Sequence, residues 1–142
     1  MLVFRADGNA NIGSGHVMRC LSIADAARDM GEESVFITAS NDMETVISSR
    51  NYKNIILNTN YKDIESENIL SALNAYCSPI VFVDSYYVSA QYLEKLWSYC
   101  NMHGGKLVYI DDIKQFASPC DVLINYQVHG SKEEYDTLYA EY

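Results

Sequence analysis

The chain has 142 residues, 49% of them hydrophobic, the size and composition of one domain with a core of its own. Seven Gly and two Pro are too few for a low-complexity chain, and no run of about 18 apolar residues offers a membrane span. Ten Lys and Arg against 19 Asp and Glu leave a net charge of −9, which argues against nucleic acid because phosphate binding needs a basic face.

The chain opens on a short strand, 1–5 (MLVFR), with no basic leader, apolar core or small-residue cleavage site around it. A helix follows over 15–30, where Val17, Leu21, Ala24 and Ala27 form one stripe at helical spacing and Gly31 is the stop. Next come a strand at 34–38 (SVFIT), a helix at 42–50, a strand at 54–58 (NIILN) and a helix at 63–77. The strand at 79–84 (PIVFVD) leads to a helix over 89–103, with Leu93, Leu96, Trp97 and Cys100 on one face and Gly104-Gly105 at its end. Strands at 106–111 (KLVYID) and 121–125 (DVLIN) complete the series. The polar, Tyr-rich tail after Asn125 reads either as an edge helix or as the approach to a second domain.

Nearly continuous apolar strands alternating with helices predict a doubly wound α/β fold with a mainly parallel sheet covered on both faces. No internal repeat, linker or charge block divides it. Cys20, Cys77, Cys100 and Cys120 lie far apart without a C-x-x-C, so neither a zinc knuckle nor a redox pair is expected. They read as reduced, buried thiols of a cytoplasmic protein.

Ligands of such sheets settle at the carboxyl ends of the strands. The segments to inspect are therefore Arg5 to Gly8, Asp84 to Tyr86, Asp111-Asp112 and Asn125-Tyr126. The first loop, FRADGNANIGSGHVMRC (residues 4–20), is the richest. Gly8, Gly13 and Gly15 crowd a strand-to-helix turn, where backbone N–H groups can face an anion. Two familiar phosphate motifs fail here: Ser14-Gly15 replaces the Lys-Ser/Thr of a P-loop, and Met18 stands where a dinucleotide motif needs its third glycine. A tight turn without a ligand explains the glycines equally well.

His16 in the first helical turn, with Arg19 one turn later, adds chemistry. The partial positive charge of a helix N-terminus disfavours an imidazolium, and a neutral imidazole is what a general base needs. A capping histidine is the plain alternative. Arg5 and Arg19 outnumber Asp7 within residues 1–20, while the rest of the chain is acidic, so both arginines are candidate contacts to an anion. Asp7 is a candidate for orienting a hydroxyl. Asp84, Asp111 and Asp112 have the chemistry of a magnesium cluster, but strand-end Asp residues more commonly cap turns and helices. His103 reads as serving a helix C-terminus and His129 as solvated.

The run F-R-A-D-G-N-A-N-I-G-S-G-H-V-M-R-C resembles the opening signature of the hydrolase family that removes UDP from UDP-2,4-diacetamido-2,4,6-trideoxy-β-L-altropyranose in pseudaminic acid biosynthesis. It also resembles related spore-coat polysaccharide biosynthesis proteins. V-D-S-Y at 83–86, Y-I-D-D at 109–112 and C-D-V-L-I-N at 120–125 extend the likeness along the chain. The resemblance implies the Rossmann-like N-terminal half of a two-domain, glycosyltransferase-B-like architecture, with residues 1–142 as one domain. The C-terminal half, which supplies most of the nucleotide site in that family, lies outside this chain. It further implies that His16 activates water, that Gly13, Ser14 and Gly15 face the sugar and diphosphate, and that Tyr86 approaches the substrate. Ser85 departs from relatives that place a histidine there. The implied reaction is hydrolysis at the anomeric carbon of a UDP-sugar, without metal or cofactor, with UDP leaving.

Two other readings stand beside it. A glycosyltransferase of the same architecture would pass the sugar to an acceptor hydroxyl instead of water. A non-catalytic sugar-binding or regulatory domain is the third. Its phospho-receiver version fits poorly, because receiver Asp pairs follow the first strand and Asp111-Asp112 follow a late one.

Overall fold

Strand β1 (Leu2–Ala6) is buried along its whole length, so its side chains must satisfy two opposite faces. Leu2, Phe4 and Ala6 point to one helical layer and Val3 to the other. The computed structural model, which describes residues 1–62 and 66–140, builds the rest of the sheet around this strand.

The remaining elements are α1 (Gly15–Asp29), β2 (Ser34–Thr38), α2 (Glu44–Ser49), β3 (Lys53–Ile56), α3 (Ser66–Leu73), β4 (Ile80–Asp84), α4 (Ala90–Met102), β5 (Lys106–Ile110), β6 (Val122–Ile124) and α5 (Lys132–Leu138). All six strands are parallel, in the order β3-β2-β1-β4-β5-β6. This is a Rossmann-like α/β fold, and the order reverses between β1 and β4. Every expected element is present, within a few residues of its expected limits. Residues 63–65 of the helix expected at 63–77 lie outside the described residues.

Two cores flank the sheet. On the α1 and α2 side, Phe4 pairs in register with Phe36 and Phe82, and its ring stacks on theirs at centroid distances of 5.1 and 4.8 Å. Val17, Cys20, Leu21, Ala24 and Ala27 of α1 close over this aromatic row. Each fully buried Phe or Leu contributes about 1.5–3 kcal/mol of transfer free energy. The opposite core joins Val35, Val81, Val83 and Leu107 to α3 and α4. Within α4 the stripe is turned slightly from the expected one: Tyr92 is buried with Leu93, Leu96 and Cys100, whereas Trp97 is only half-buried against them.

The tail forms an edge helix. Ser131 and Glu134 make a reciprocal capping box at the start of α5. Tyr135 then donates from its hydroxyl to the Asp111 carbonyl at 2.8 Å and accepts from Asn125 Nδ2 at 2.7 Å, fastening the helix to the carboxyl edge of β5 and β6. Among the described residues no helix is long and apolar enough to cross a membrane.

Candidate functional site

The loop after β1 is shaped largely by its own backbone. Asn9 and Gly13 exchange two backbone hydrogen bonds, at 3.1 and 2.8 Å, and the Asn9 carboxamide oxygen accepts from the N–H groups of Asn11 and Ile12. Closing so small a loop requires φ = +74° at Gly13, a conformation that favours glycine. Gly8 is needed for a different reason: a Cβ there would stand 2.9 Å from the Met43 side chain. The loop delivers Ser14 to the N-cap of α1, where its hydroxyl makes no capping bond. Gly13, Ser14 and Gly15 are all exposed, along the rim of the site.

His16 is 6% exposed and lies against the end of β4. Its Nδ1 is 2.6 Å from Asp84 Oδ1. An ionised carboxylate only accepts, so Nδ1 carries the proton and donates it to this bond. Arg19 grips the same carboxylate at both oxygens, Nε to Oδ2 at 2.7 Å and Nη2 to Oδ1 at 2.6 Å. Burial works against the Arg19 charge, but the Asp84 bonds and charge outweigh it and hold the guanidinium's pKa above its ordinary value. Asp84 is 1% exposed, so its charge is compensated by two donors from one face of α1.

The contacts continue into a closed ring. The Arg19 guanidinium lies over the Tyr126 ring at 3.7 Å. The Tyr126 hydroxyl donates to Asp112 Oδ2, and the same oxygen accepts from the Tyr86 hydroxyl at 3.0 Å. The Tyr86 ring then meets the His16 imidazole edge-on, with centroids 4.5 Å apart. Burial and then the Asp112 carboxylate push both phenols above their ordinary pKa, so both remain donors at neutral pH. His16, Asp84, Arg19, Tyr126, Asp112 and Tyr86 thus form one connected constellation, contributed by α1, the last residue of β4 and the loops after β4, β5 and β6. It sits at the β1–β4 reversal. Among the described residues His16 Nε2 has no hydrogen-bond partner.

The candidate substrate contacts separate into two groups. Gly13, Ser14, Gly15, Arg19 and Tyr86 surround His16. Arg5 and Asp7 do not join them: they are 1% and 5% exposed and paired with each other at 2.6 Å. Asp7 Oδ1 also accepts from the Ala39 N–H at 2.7 Å, so this pair ties β1 to the end of β2. Arg5 is therefore not open to a ligand in this structure, and both arginines of the first twenty residues are already matched by carboxylates.

The acidic residues divide likewise. Asp84 serves His16 and Arg19, and Asp112 serves the two tyrosines. Asp111 accepts from the N–H groups of Ile113 and Lys114, both at 3.1 Å, as a turn cap. Among the described residues no group of three His, Cys, Asp or Glu side chains is arranged to hold a metal ion. Ser85 accepts from the Tyr87 N–H, His103 caps α4 through its Nδ1 contact with the Tyr99 carbonyl, and His129 is exposed. The sequence marks Asp84, Asp112 and Tyr126 for inspection at strand ends, but it reads the two Asp as caps or magnesium ligands and gives Tyr126 no role; the strand order that joins them to His16 and Arg19 is the missing piece.

No protein-family model matches this chain, and no curated protein sequence matches it. The fold class and the geometry of the site carry the reading that follows.

Proposed function

We propose that this chain is the sugar-side domain of a nucleotide-sugar hydrolase that releases UDP from a UDP-linked diacetamido-trideoxy sugar, with His16 as the base. The observation that carries the reading is the 2.6 Å contact between His16 Nδ1 and Asp84, which leaves Nε2 without a protein partner at the switch point of the sheet. A carboxylate that fixes the Nδ1–H tautomer orients the ring and makes Nε2 the proton acceptor. Arg19 keeps the Asp84 charge matched by a second, permanent cation.

In this reading a water held at Nε2 attacks the anomeric carbon and gives up its proton to the imidazole. The bond from that carbon to the diphosphate oxygen breaks, and its electron pair leaves with UDP. The N–H groups in the first turn of α1, which have no intrahelical partner, suit the developing negative charge. The signature at residues 4–20 supports the same assignment through its resemblance to pseudaminic acid pathway hydrolases. A second, nucleotide-binding domain of glycosyltransferase-B-like type would face this edge, in a cytoplasmic enzyme working without metal or cofactor.

A transferase would use the same base on an acceptor hydroxyl. Release of UDP and free sugar by the protein together with its nucleotide-binding domain, measured with and without candidate acceptors, separates the two. Free sugar at an undiminished rate in the presence of acceptors supports the hydrolase; a glycosylated acceptor overturns it.

A further inference from the structure

The site above uses only the half of the carboxyl edge that follows β1, β4, β5 and β6. The other half, after β1, β2 and β3, holds a separate cleft of about 300 Å³. Its walls are the outer side of the Asn9–Gly13 loop, Ser40 and Asp42 after β2, and Asn60 and Tyr61 after β3. None of these residues belongs to the His16 constellation, and the loop after β1 stands between the two.

The polar groups of the cleft are held in place by their own neighbours. The Asn9 oxygen is occupied by two backbone N–H groups and the Asn60 oxygen by the Lys62 N–H at 2.9 Å. Both carboxamides are thereby fixed, and among the described residues their Nδ2 groups have no acceptor. Asp42 receives the Ser40 hydroxyl on Oδ2, which leaves Oδ1 free to accept. The Tyr61 ring closes one end, edge-on to Tyr87 at 5.1 Å. Fixed amide donors, one carboxylate acceptor and an aromatic ring match the alternating hydroxyls and C–H face of a sugar ring. The lining residues include one Asp and no Lys or Arg; the nearest cation to the Tyr61 end, Lys62, has its Nζ 5.7 Å from that ring's centroid, a place suited to the rim of an uncharged, polar ligand. The volume is at the lower end for small-molecule sites, which fits one ring.

We propose that this cleft is a second binding site, for an uncharged sugar ring. Tyr61 meets Tyr87, the chain neighbour of Tyr86. The assignment does not rest on the base role of His16.

The test is an amide chemical-shift titration of the full-length protein with methyl N-acetylglucosaminide, uridine and inorganic phosphate as separate probes. The sugar is expected to bind at millimolar strength, shifting the 9–11, 40–42 and 59–61 amides. Asp42→Ala with Asn60→Ala, both exposed and harmless to folding, should weaken it about tenfold or more. His16→Asn should leave it unchanged, which keeps the two sites' tests apart. Absence of sugar-induced shifts, shifts confined to the His16 side, or a response to uridine or phosphate alone would each overturn the proposal.

Discussion

His16 Nδ1 and Asp84 Oδ1 are 2.6 Å apart although 68 positions separate them in the chain. The contact exists because β4 pairs directly with β1, bringing Asp84 level with Ala6 at the edge where α1 begins. Under the hydrolase reading, His16→Asn in the protein with its nucleotide-binding domain should lower kcat about 100-fold or more, with little change in KM. Near-normal turnover would make His16 a structural residue.

Asp84→Asn tests the orienting half of the dyad. The substitution strips the compensating charge from Arg19 and allows the wrong imidazole tautomer, since a carboxamide can donate to Nδ1. We expect a fall in kcat comparable to that of His16→Asn, and a double variant little worse than either single one. Stability should drop by about 2–3 kcal/mol in urea melts, less than for a fully buried pair because Arg19 keeps part of its surface in water. Full additivity of the two kinetic losses would refute the dyad.

Asp112 has a subtler role, because it touches the tyrosines rather than His16. Asp112→Asn replaces an acceptor of two phenols with a group that can also donate. Tyr86 should lose its fixed edge-on contact with His16, and Tyr126 its place beneath Arg19. The expected result is a kcat loss of about tenfold. Tyr126→Phe should give the same direction with a smaller effect, since stacking under Arg19 survives. Unchanged kcat in both variants would show that the tyrosine pair does not act through His16.

The strands and helices were readable because parallel strands covered on both faces must be almost continuously apolar, as β1, β4 and β5 are. Tyr92 and Trp97 show the limit of that signal: five positions apart, both fit a helical stripe, and only packing decides which ring is enclosed. Asp84 offered two local readings, a cap or a metal ligand. Its actual partners are fixed by strand order, which no local pattern carries. Arg5 is the opposite case. A charge count treats it as a free cation, yet a spacing of two along extended chain puts Arg5 and Asp7 on the same side, so their pairing was open to inspection.

The four cysteines give a test independent of the enzymology. All four are free, but the expected burial holds only for Cys20 and Cys100: Cys120 is half-buried, and Cys77, beyond the end of α3, is exposed. Burial, followed by the nearby Asp84 charge, pushes the Cys20 thiol well above its ordinary pKa, and burial takes Cys100 up to about 11. Thiolate is the reactive form, so alkylation at pH 8 should label Cys77 well before the other three. Complete labelling after unfolding without reductant should give four adducts by mass. Two missing adducts, or Cys20 reacting as fast as Cys77, would contradict this assignment.

The last prediction concerns affinity for UDP. Charge counting along residues 1–20 suggested cations free to meet a diphosphate, but Arg5 is spent on Asp7 and Arg19 on Asp84, both at 2.6 Å. What remains for an anion beside His16 is backbone: the N–H groups in the first turn of α1, which have no intrahelical partner. Such donors help a charge that is already positioned, but they do not gather a nucleotide from solution against a net charge of −9. Residues 1–142 alone should therefore bind UDP no more tightly than roughly 1 mM, about −4 kcal/mol, and release UDP from UDP-sugars barely above background. Under the hydrolase reading, joining the proposed nucleotide-binding domain should give both affinity and turnover. Calorimetry with UDP and a UDP-release assay on the two forms decide the matter: micromolar binding or robust turnover by the 142-residue chain would mean that its site is complete without a second domain.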